Sequence, residues 1–278
     1  MQLVVFFVYC TIEIRFIDIN FNLGGYSMDS TKRFTERVDN YVKYRPSYPQ
    51  ALIDFLFTEL GFTEQSVIAD VGSGTGIFTK LLLEQGSHVI AIEPNSGMRT
   101  AAEEQLQAFE GFVSVEGTAE DTRLEAASVD YLVSAQAFHW FNRAEAKQEF
   151  SRILKPDGKV VLIWNNRVTD KTPFDRAYEE VLLAFGKDYT AVRHTNIQEK
   201  DLRTFFKEGQ YVKQSFLNGQ VCDFDGMKGR VLSSSYMPLP HEATYPALLE
   251  RLKSVFDTYN ENGYITITYN AEIYYGEA

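Results

Sequence analysis

Cysteine is nearly missing from this chain: among 278 residues only Cys10 and Cys222 carry a thiol. Two cysteines cannot build the disulfide framework of a small secreted domain, and neither lies in a CxxC or Cys/His spacing. No metal site is therefore expected, and two ordinary thiols in a reducing cytoplasm are. Positive charge is also in short supply, with 27 Lys+Arg against 38 Asp+Glu and a formal net charge of −11. Sequence-independent nucleic-acid affinity comes from clustered Lys and Arg, so a nucleic-acid partner is not expected. The apolar run over residues 3–10 falls far short of the ~20 residues that cross a bilayer, so no membrane partner is expected either. That segment has neither the basic start nor the A-x-A-like cleavage site of a signal peptide. Gly24-Gly25, encoded by GGN-GGN, can spell a bacterial ribosome-binding sequence a short way before Met28. Translation is accordingly expected to begin at Met28, leaving 1–27 a non-native or disordered extension; the other reading is an extra N-terminal strand.

What is present is an ordinary globular composition, 45% hydrophobic and 23% charged. Apolar runs at 67–71, 89–92, 112–115, 131–135 and 160–164 read as buried strands, and 77–85, 97–109 and 143–154 between them read as helices. This alternation marks a parallel sheet of βα units. The last of these helices ends at the turn Lys155-Pro156-Asp157-Gly158. Beyond Trp164 the rhythm changes to a helix at about 174–185, a strand at 212–224, a helix at 244–259 and a final strand at 264–275. One domain is expected over 28–278, with an N-terminal lid at 28–60 and a helical cap at about 166–210.

The sharpest motif is Asp70-Val71-Gly72-Ser73-Gly74-Thr75-Gly76, between the first strand and the first helix. Glycines at alternate positions let backbone turn tightly and approach a ligand that a Cβ would displace. A turn of this kind at the carboxyl edge of a parallel sheet is where nucleotide-like ligands bind. Glu93, ending the second strand, can accept both hydroxyls of a ribose, or can simply be a solvated strand end. The dinucleotide fingerprint G-x-G-x-x-G needs glycine where this chain has Ile77; glycine comes one place earlier, at Gly76. That disfavours a nicotinamide-dependent oxidoreductase.

The G-x-G-x-G spacing with Asp70 two residues ahead resembles the class I S-adenosylmethionine-dependent methyltransferases. Glu93-Pro94 with Met98, Gly117-Thr118-Ala119-Glu120, Asp130-Tyr131-Leu132-Val133 and Leu154-Lys155-Pro156-Asp157-Gly158 are similar to that family's later motifs in order. The resemblance implies a Rossmann-like, seven-stranded, mainly parallel α/β sheet with helices on both faces and an antiparallel last strand. It implies that Gly72, Gly74 and Gly76 pack against the methionyl part of S-adenosyl-L-methionine, with Asp70 holding the loop and meeting the amino group through water. It also implies that Glu93 binds the ribose and that Pro94, Met98, Ala119 and Glu120 lie around the adenine. Thr118 stands where the commoner pattern has Asp, and its hydroxyl would accept a weaker bond from the adenine amino group.

Tyr41 to Pro49 with its Tyr-x-x-x-Arg-Pro-Ser-Tyr-Pro pattern, Ser134 to Phe141, and the closing strand resemble the subgroup containing trans-aconitate methyltransferase. There the N-terminal segment folds over the cofactor, which brings in Tyr41, Arg45 and Tyr48. Ser233 to Tyr236 is similar to that subgroup's Ser-rich, Tyr-ended element near the acceptor. Within the Ser134 to Phe141 stretch, Gln136 is expected, like Tyr41, among the cofactor-binding residues. His139 is the candidate base, needed only for an acceptor that arrives protonated; it reads equally as a packed wall residue between Phe138 and Trp140. Arg45 is a carboxylate anchor, on cofactor or acceptor, or else a surface ion pair. The leading expectation is a cytoplasmic methyltransferase acting on a small molecule, with an organic acid expected as the acceptor. The alternative is a non-catalytic S-adenosylmethionine-binding or regulatory protein.

Overall fold

Residues 37–192 and 196–278 are described by the computed structural model. The expected start at Met28, the extension 1–27, lid residues 28–36 and Cys10 lie outside the described residues. Seven strands form one sheet: β1 (Val67–Val71), β2 (His88–Ile92), β3 (Phe112–Val115), β4 (Val129–Ala135), β5 (Leu154–Arg167), β6 (Val212–Cys222) and β7 (Ile265–Gly276). Their order is β3-β2-β1-β4-β5-β7-β6, with β1 to β5 parallel and β7 antiparallel to both β5 and β6. The Rossmann-like expectation is met. β1 is buried from Ile68 to Val71 because helices cover both faces, which is why its sequence runs apolar instead of alternating.

One face of the sheet packs against α2 (Gln50–Thr58), α3 (Ile77–Leu83) and α4 (Ser96–Leu106), through residues such as Leu52, Leu82 and Leu106. The other packs against α5 (Arg143–Ile153) and α8 (Glu199–Phe205), where Phe138, Phe150 and Phe205 interlock. A third cluster joins α6 (Pro173–Phe185), α9 (Phe224–Leu232) and α10 (Tyr245–Tyr259) to the start of β7. The expected cap at 166–210 is thus differently composed. Its α6 and the short α7 (Tyr189–Val192) share that cluster, whereas α8 turns away because Leu202 and Phe205 bury against Phe138, at 4.6 Å between the Phe rings. The expected turn at Lys155–Gly158 lies inside β5, as a bulge. Asp157 takes φ +70°, and the β4–β5 register shifts between Val129 and Tyr131.

The N-terminal segment is strapped across this frame. Arg37 donates to Leu232 O, on the last residue of α9, at 2.7 Å and to Met237 O beyond the helix. From β6, the Gln220 amide donates to Tyr44 O at 2.9 Å and the Asn218 amide to Ser47 O at 2.8 Å. The ring of Tyr44, ending α1 (Val38–Tyr44), lies on Gly229 of α9, where an added Cβ would stand 2.1 Å from Cδ2. Helix propensity alone would make Gly229→Ala stabilising by about 1 kcal/mol. Overpacking against a ring costs about 1–3 kcal/mol, so the clash should prevail. Gly229→Ala should therefore lift the strap: trypsin should cut after Lys43 faster than in the parent, with no gain in melting temperature.

Candidate functional site

The turn after β1 begins with the Gly72 and Ser73 amides both donating to Ile92 O, at 2.9 and 3.1 Å. Gly72, Gly74 and Gly76 take φ of +72°, +57° and +81°, a region that favours glycine. Their surroundings differ. A Cβ on Gly72 would lie 2.4 Å from Ala137 Cβ, and one on Gly76 would lie 2.6 Å from Leu106 Cδ1. On Gly74 it would meet only Met98 Sδ at 3.7 Å. Gly74 is therefore the glycine whose missing side chain leaves space for a ligand. Gly76, expected beside the methionyl group, instead starts α3 behind the turn, packed against α4.

Glu93 is 7% exposed. Its two oxygens accept from the Gly74 amide at 2.9 Å and the Asn95 amide at 2.8 Å, and burial raises its pKa against those bonds and nearby Arg99. Asn95 in turn caps α4 by accepting from the Met98 amide at 3.0 Å. A cavity of about 190 Å³ opens here, with Gly72, Gly74, Glu93, Pro94 and Met98 on its walls. Thr118, Ala119 and Glu120 form a second side, and Tyr41, Gln136 and Trp140 a third. Of the residues expected around the cofactor, all but Asp70 and Gly76 line this space.

Two of these residues also hold the turn itself. The Thr118 hydroxyl already accepts from the Glu120 and Asp121 amides, at 3.3 and 3.1 Å, so its lone pairs are taken up by the turn and its O–H is what remains to offer. What it can offer the cavity is a donor. Glu120 accepts from the Asn142 amide at 2.7 Å, which ties the turn to the start of α5.

A second cavity, also about 190 Å³, shares Tyr41, Gly72, Gly74, Ala135, Gln136 and Trp140 with the first, so the two are halves of one cleft. Asp70 faces this half. Its Oδ2 accepts from the Thr79 hydroxyl at 2.6 Å, its Oδ1 has no partner among the described residues, and burial pushes its pKa up to about 7. Ser73 Oγ and Thr75 Oγ1 are likewise buried without partners on this wall. Gln136 holds its side chain here from φ +62°, its backbone amide donating to Ile163 O at 2.9 Å, and its side chain bonds the half-buried Tyr48. His139 lies in the 3-10 turn Phe138–Trp140, its ring 4.7 Å from that of Trp140. Arg45 reaches the same half, 4.6 Å over the Tyr41 ring, donating to Ser233 O at 3.1 Å. Ser235 and Tyr236 line it too. Of four aromatic residues in the segment expected as a cap, Tyr189 lines this half, whereas Phe174, Tyr178 and Phe185 belong to the helical cluster behind.

Sequence reading missed Asn165, Asn166 and Arg167, ending β5, and Arg230 on α9. The run Asn-Asn-Arg at the carboxyl end of a parallel strand was a usable signal, since ligands bind at that edge. Arg230 offered none, because Gly226 and Gly229 hide the helix that carries it.

A fold with this sheet order and a glycine turn beside a strand-end carboxylate belongs to the class that binds nucleoside-bearing cofactors at a switch point. A family model described as a methyltransferase domain matches residues 69–162. A methyltransferase-like protein of Schizosaccharomyces pombe is 34% identical over 158 residues, 56% of this chain and 60% of that one. A methyltransferase of Mycobacterium tuberculosis is 34% identical over 165 residues, covering 59% and 63%. The chain thus spans somewhat under two thirds of the length of these relatives. A methyltransferase of Geobacillus is 32% identical over 156 residues, covering 53% of this chain and 72% of that one. Among solved structures, a candidate type II methyltransferase from Anaeromyxobacter dehalogenans shares the fold with a TM-score of 0.60 at 19% identity, covering 84% and 98%. The chain belongs to the class I methyltransferase family, whose cofactor is S-adenosylmethionine.

The residues present fit that cofactor. Space stands open over Gly74, Glu93 keeps lone pairs toward the cavity, and the orphaned Asp70 Oδ1, Ser73 Oγ and Thr75 Oγ1 await polar partners. Among the described residues no His/Cys/Asp/Glu cluster could hold a metal, and no helix is long and apolar enough to cross a membrane. Cys222 is a buried free thiol.

The folded-state pKa of Asp70 lies above its ordinary 3.8, so the folded state holds a proton that the unfolded chain releases. Stability from this group is present at acid pH and is lost as pH rises from about 4 to about 7. Asp70→Asn, which can still accept from Thr79, should melt higher than the parent near pH 8 in the absence of cofactor. The difference should shrink to nothing near pH 4, as calorimetry across that range would show.

Proposed function

We propose that this chain transfers a methyl group from S-adenosylmethionine to a small-molecule acceptor, at a carboxylate oxygen, and that it belongs with the subgroup containing trans-aconitate methyltransferase. The reading rests on one observation, the division of a single cleft into a carboxylate-bearing half and an arginine-bearing half that meet at Gly74, Gln136 and Trp140. Bound in the first half, the cofactor supplies a methyl group on a positively charged sulfur, a good leaving group. Glu93 accepts from the ribose hydroxyls, Pro94, Met98 and Ala119 give the adenine an apolar bed, and Thr118 donates to its edge. Asp70, Ser73 and Thr75 face the methionyl part. Tyr41 and the strap close the cleft and exclude water.

In the second half Arg45 offers a fork suited to a carboxylate. Orientation of two bound reactants can contribute about 7–11 kcal/mol, which leaves little for acid–base catalysis to do. A carboxylate is ionised at neutral pH and needs no base, so His139 serves as a wall. The second, empty-handed half of the cleft also argues against a protein that merely binds the cofactor. The acidic surface suits a small molecule in the cytoplasm better than a polyanion.

Gly74→Val should abolish S-adenosylmethionine binding, since its methyls enter ligand space. Glu93→Ala should weaken binding by about 1.5–3 kcal/mol through the loss of charge-assisted bonds. Titration calorimetry reads both, and near-parental affinity in the two variants would remove the cofactor assignment. His139→Gln should lower kcat by less than about tenfold and leave cofactor affinity unchanged; a fall of about 10²–10⁴-fold would make it a base.

A further inference from the structure

β6 ends the sheet, paired with β7 alone, and runs 11 residues without a break in register from Val212 to Cys222. Alternate amides and carbonyls of an edge strand point outward unpaired, and soluble proteins ordinarily protect them with a proline, a bulge, a free charge or a covering element. β6 has no proline, and its one charged residue, Lys213, is turned onto Glu272 at 2.8 Å. Among the described residues no other strand pairs with it.

The two faces of this strand differ, since residues two apart share a face. On one face Phe216 packs against Phe55 of α2, with ring centres 5.6 Å apart, and Asn218 and Gln220 hold the N-terminal strap. On the other, Leu217 is 72% exposed and Val221 68%. Tyr264, just before β7, lies beside the end of β6. With Val212 these make four of the seven large apolar side chains left exposed among the described residues, so exposed apolar surface gathers at this edge. A strand from outside is expected to cover it.

The sequence of β6 points to which strand that is. Turned antiparallel about Leu217, β6 is complementary to itself. Leu217 meets Leu217, Ser215 meets Gly219, and the stem of Lys213 lies along Val221 of the other copy. The Lys213 ammonium then comes beside the other copy's Asp223, an exposed carboxylate one residue past the strand. Each copy supplies the cation for the other's acid, and no like charges are set opposite, although the whole chain carries −11. We propose that this protein is a two-fold dimer in which the β6 edges of two copies pair antiparallel about Leu217, joining two seven-stranded sheets into one. Pairing on both sides also steadies the strand from which Asn218 and Gln220 hold the strap.

The test is sedimentation velocity of the full chain across about 1–100 µM, the affinity range of a small specific interface. The parent should pass from monomer to dimer within it. Leu217→Lys places like charges on the axis, and Val221→Lys sets a lysine against Lys213. Each should weaken the dimer about tenfold or more while melting temperature and S-adenosylhomocysteine affinity stay close to the parent's. Val113→Lys, the same change on β3 at the opposite edge of the sheet, should leave the dimer unchanged. Leu217→Cys should give a disulfide-linked dimer on mild oxidation that the parent does not, because facing residues lie about 4.5–5.5 Å apart at Cα. The proposal is overturned if the parent stays monomeric to the top of the range, if the dimer withstands both lysine substitutions at β6, or if Val113→Lys weakens it as much. Leu217→Cys cross-linking no better than the parent overturns the register about Leu217. A monomeric parent with slow hydrogen exchange along 212–222 would assign the edge to another segment of the same chain instead.

Discussion

Everything in the site depends on backbone passing where no Cβ can go. β1 lies between β2 and β4, and the chain runs outward from it in both directions, so the connections after β1 and β4 diverge and leave a crevice. The turn Gly72–Gly76 fills the floor of that crevice. It is squeezed from both sides, by Ala137 after β4 against Gly72 and by Leu106 of α4 against Gly76. Those contacts fix where Gly74 lies, and the bond from its amide to Glu93 fixes the carboxylate in turn. The width of the cleft is thus set by packing on either side of a turn whose three left-handed residues only glycine adopts without strain.

The second half is assembled from pieces far apart in sequence. Arg37 and Arg45 both reach the end of α9, where Leu232 and Ser233 present carbonyls left unpaired by the helix. The partial negative charge of a helix C-terminus, roughly half an elementary charge, offsets some of the cost of burying Arg45. It does not offset all of it, since the Arg45 pKa is still lowered. The same contacts that hold the strap down also place Arg45 on the wall of the cleft.

The first half was legible because its signals are local. Five strands announced themselves as short apolar runs, and Gly72, Gly74 and Glu93 sit at spacings fixed by one strand–turn–helix unit. What spacing could not tell was which glycine faces ligand and which faces protein: Gly74 and Gly76 look alike in sequence and differ only through Leu106. Nor could spacing tell that the Thr118 hydroxyl accepts from amides two and three residues on. The acceptor half was illegible where it depends on topology. Arg230 faces the cleft because β7 inserts between β5 and β6 and brings Tyr269 beneath α9, a consequence of strand order that no local pattern encodes.

The cleft also reverses the polarity of the molecule that contains it. Its surface is acidic overall, with a net charge of −11, yet Arg45, Arg167 and Arg230 all line one half of the cavity. Fields from exposed charges fade over about 8 Å at physiological ionic strength, so the acidic surface neither draws in nor firmly repels a small anion at a distance. A long polyanion is in another position, because most of its charges would remain outside against that surface. Selectivity for a compact anion then arises inside the cleft, where screening by salt is weak and the guanidinium forks act at hydrogen-bond range. Such an arrangement trades speed of encounter for discrimination after entry.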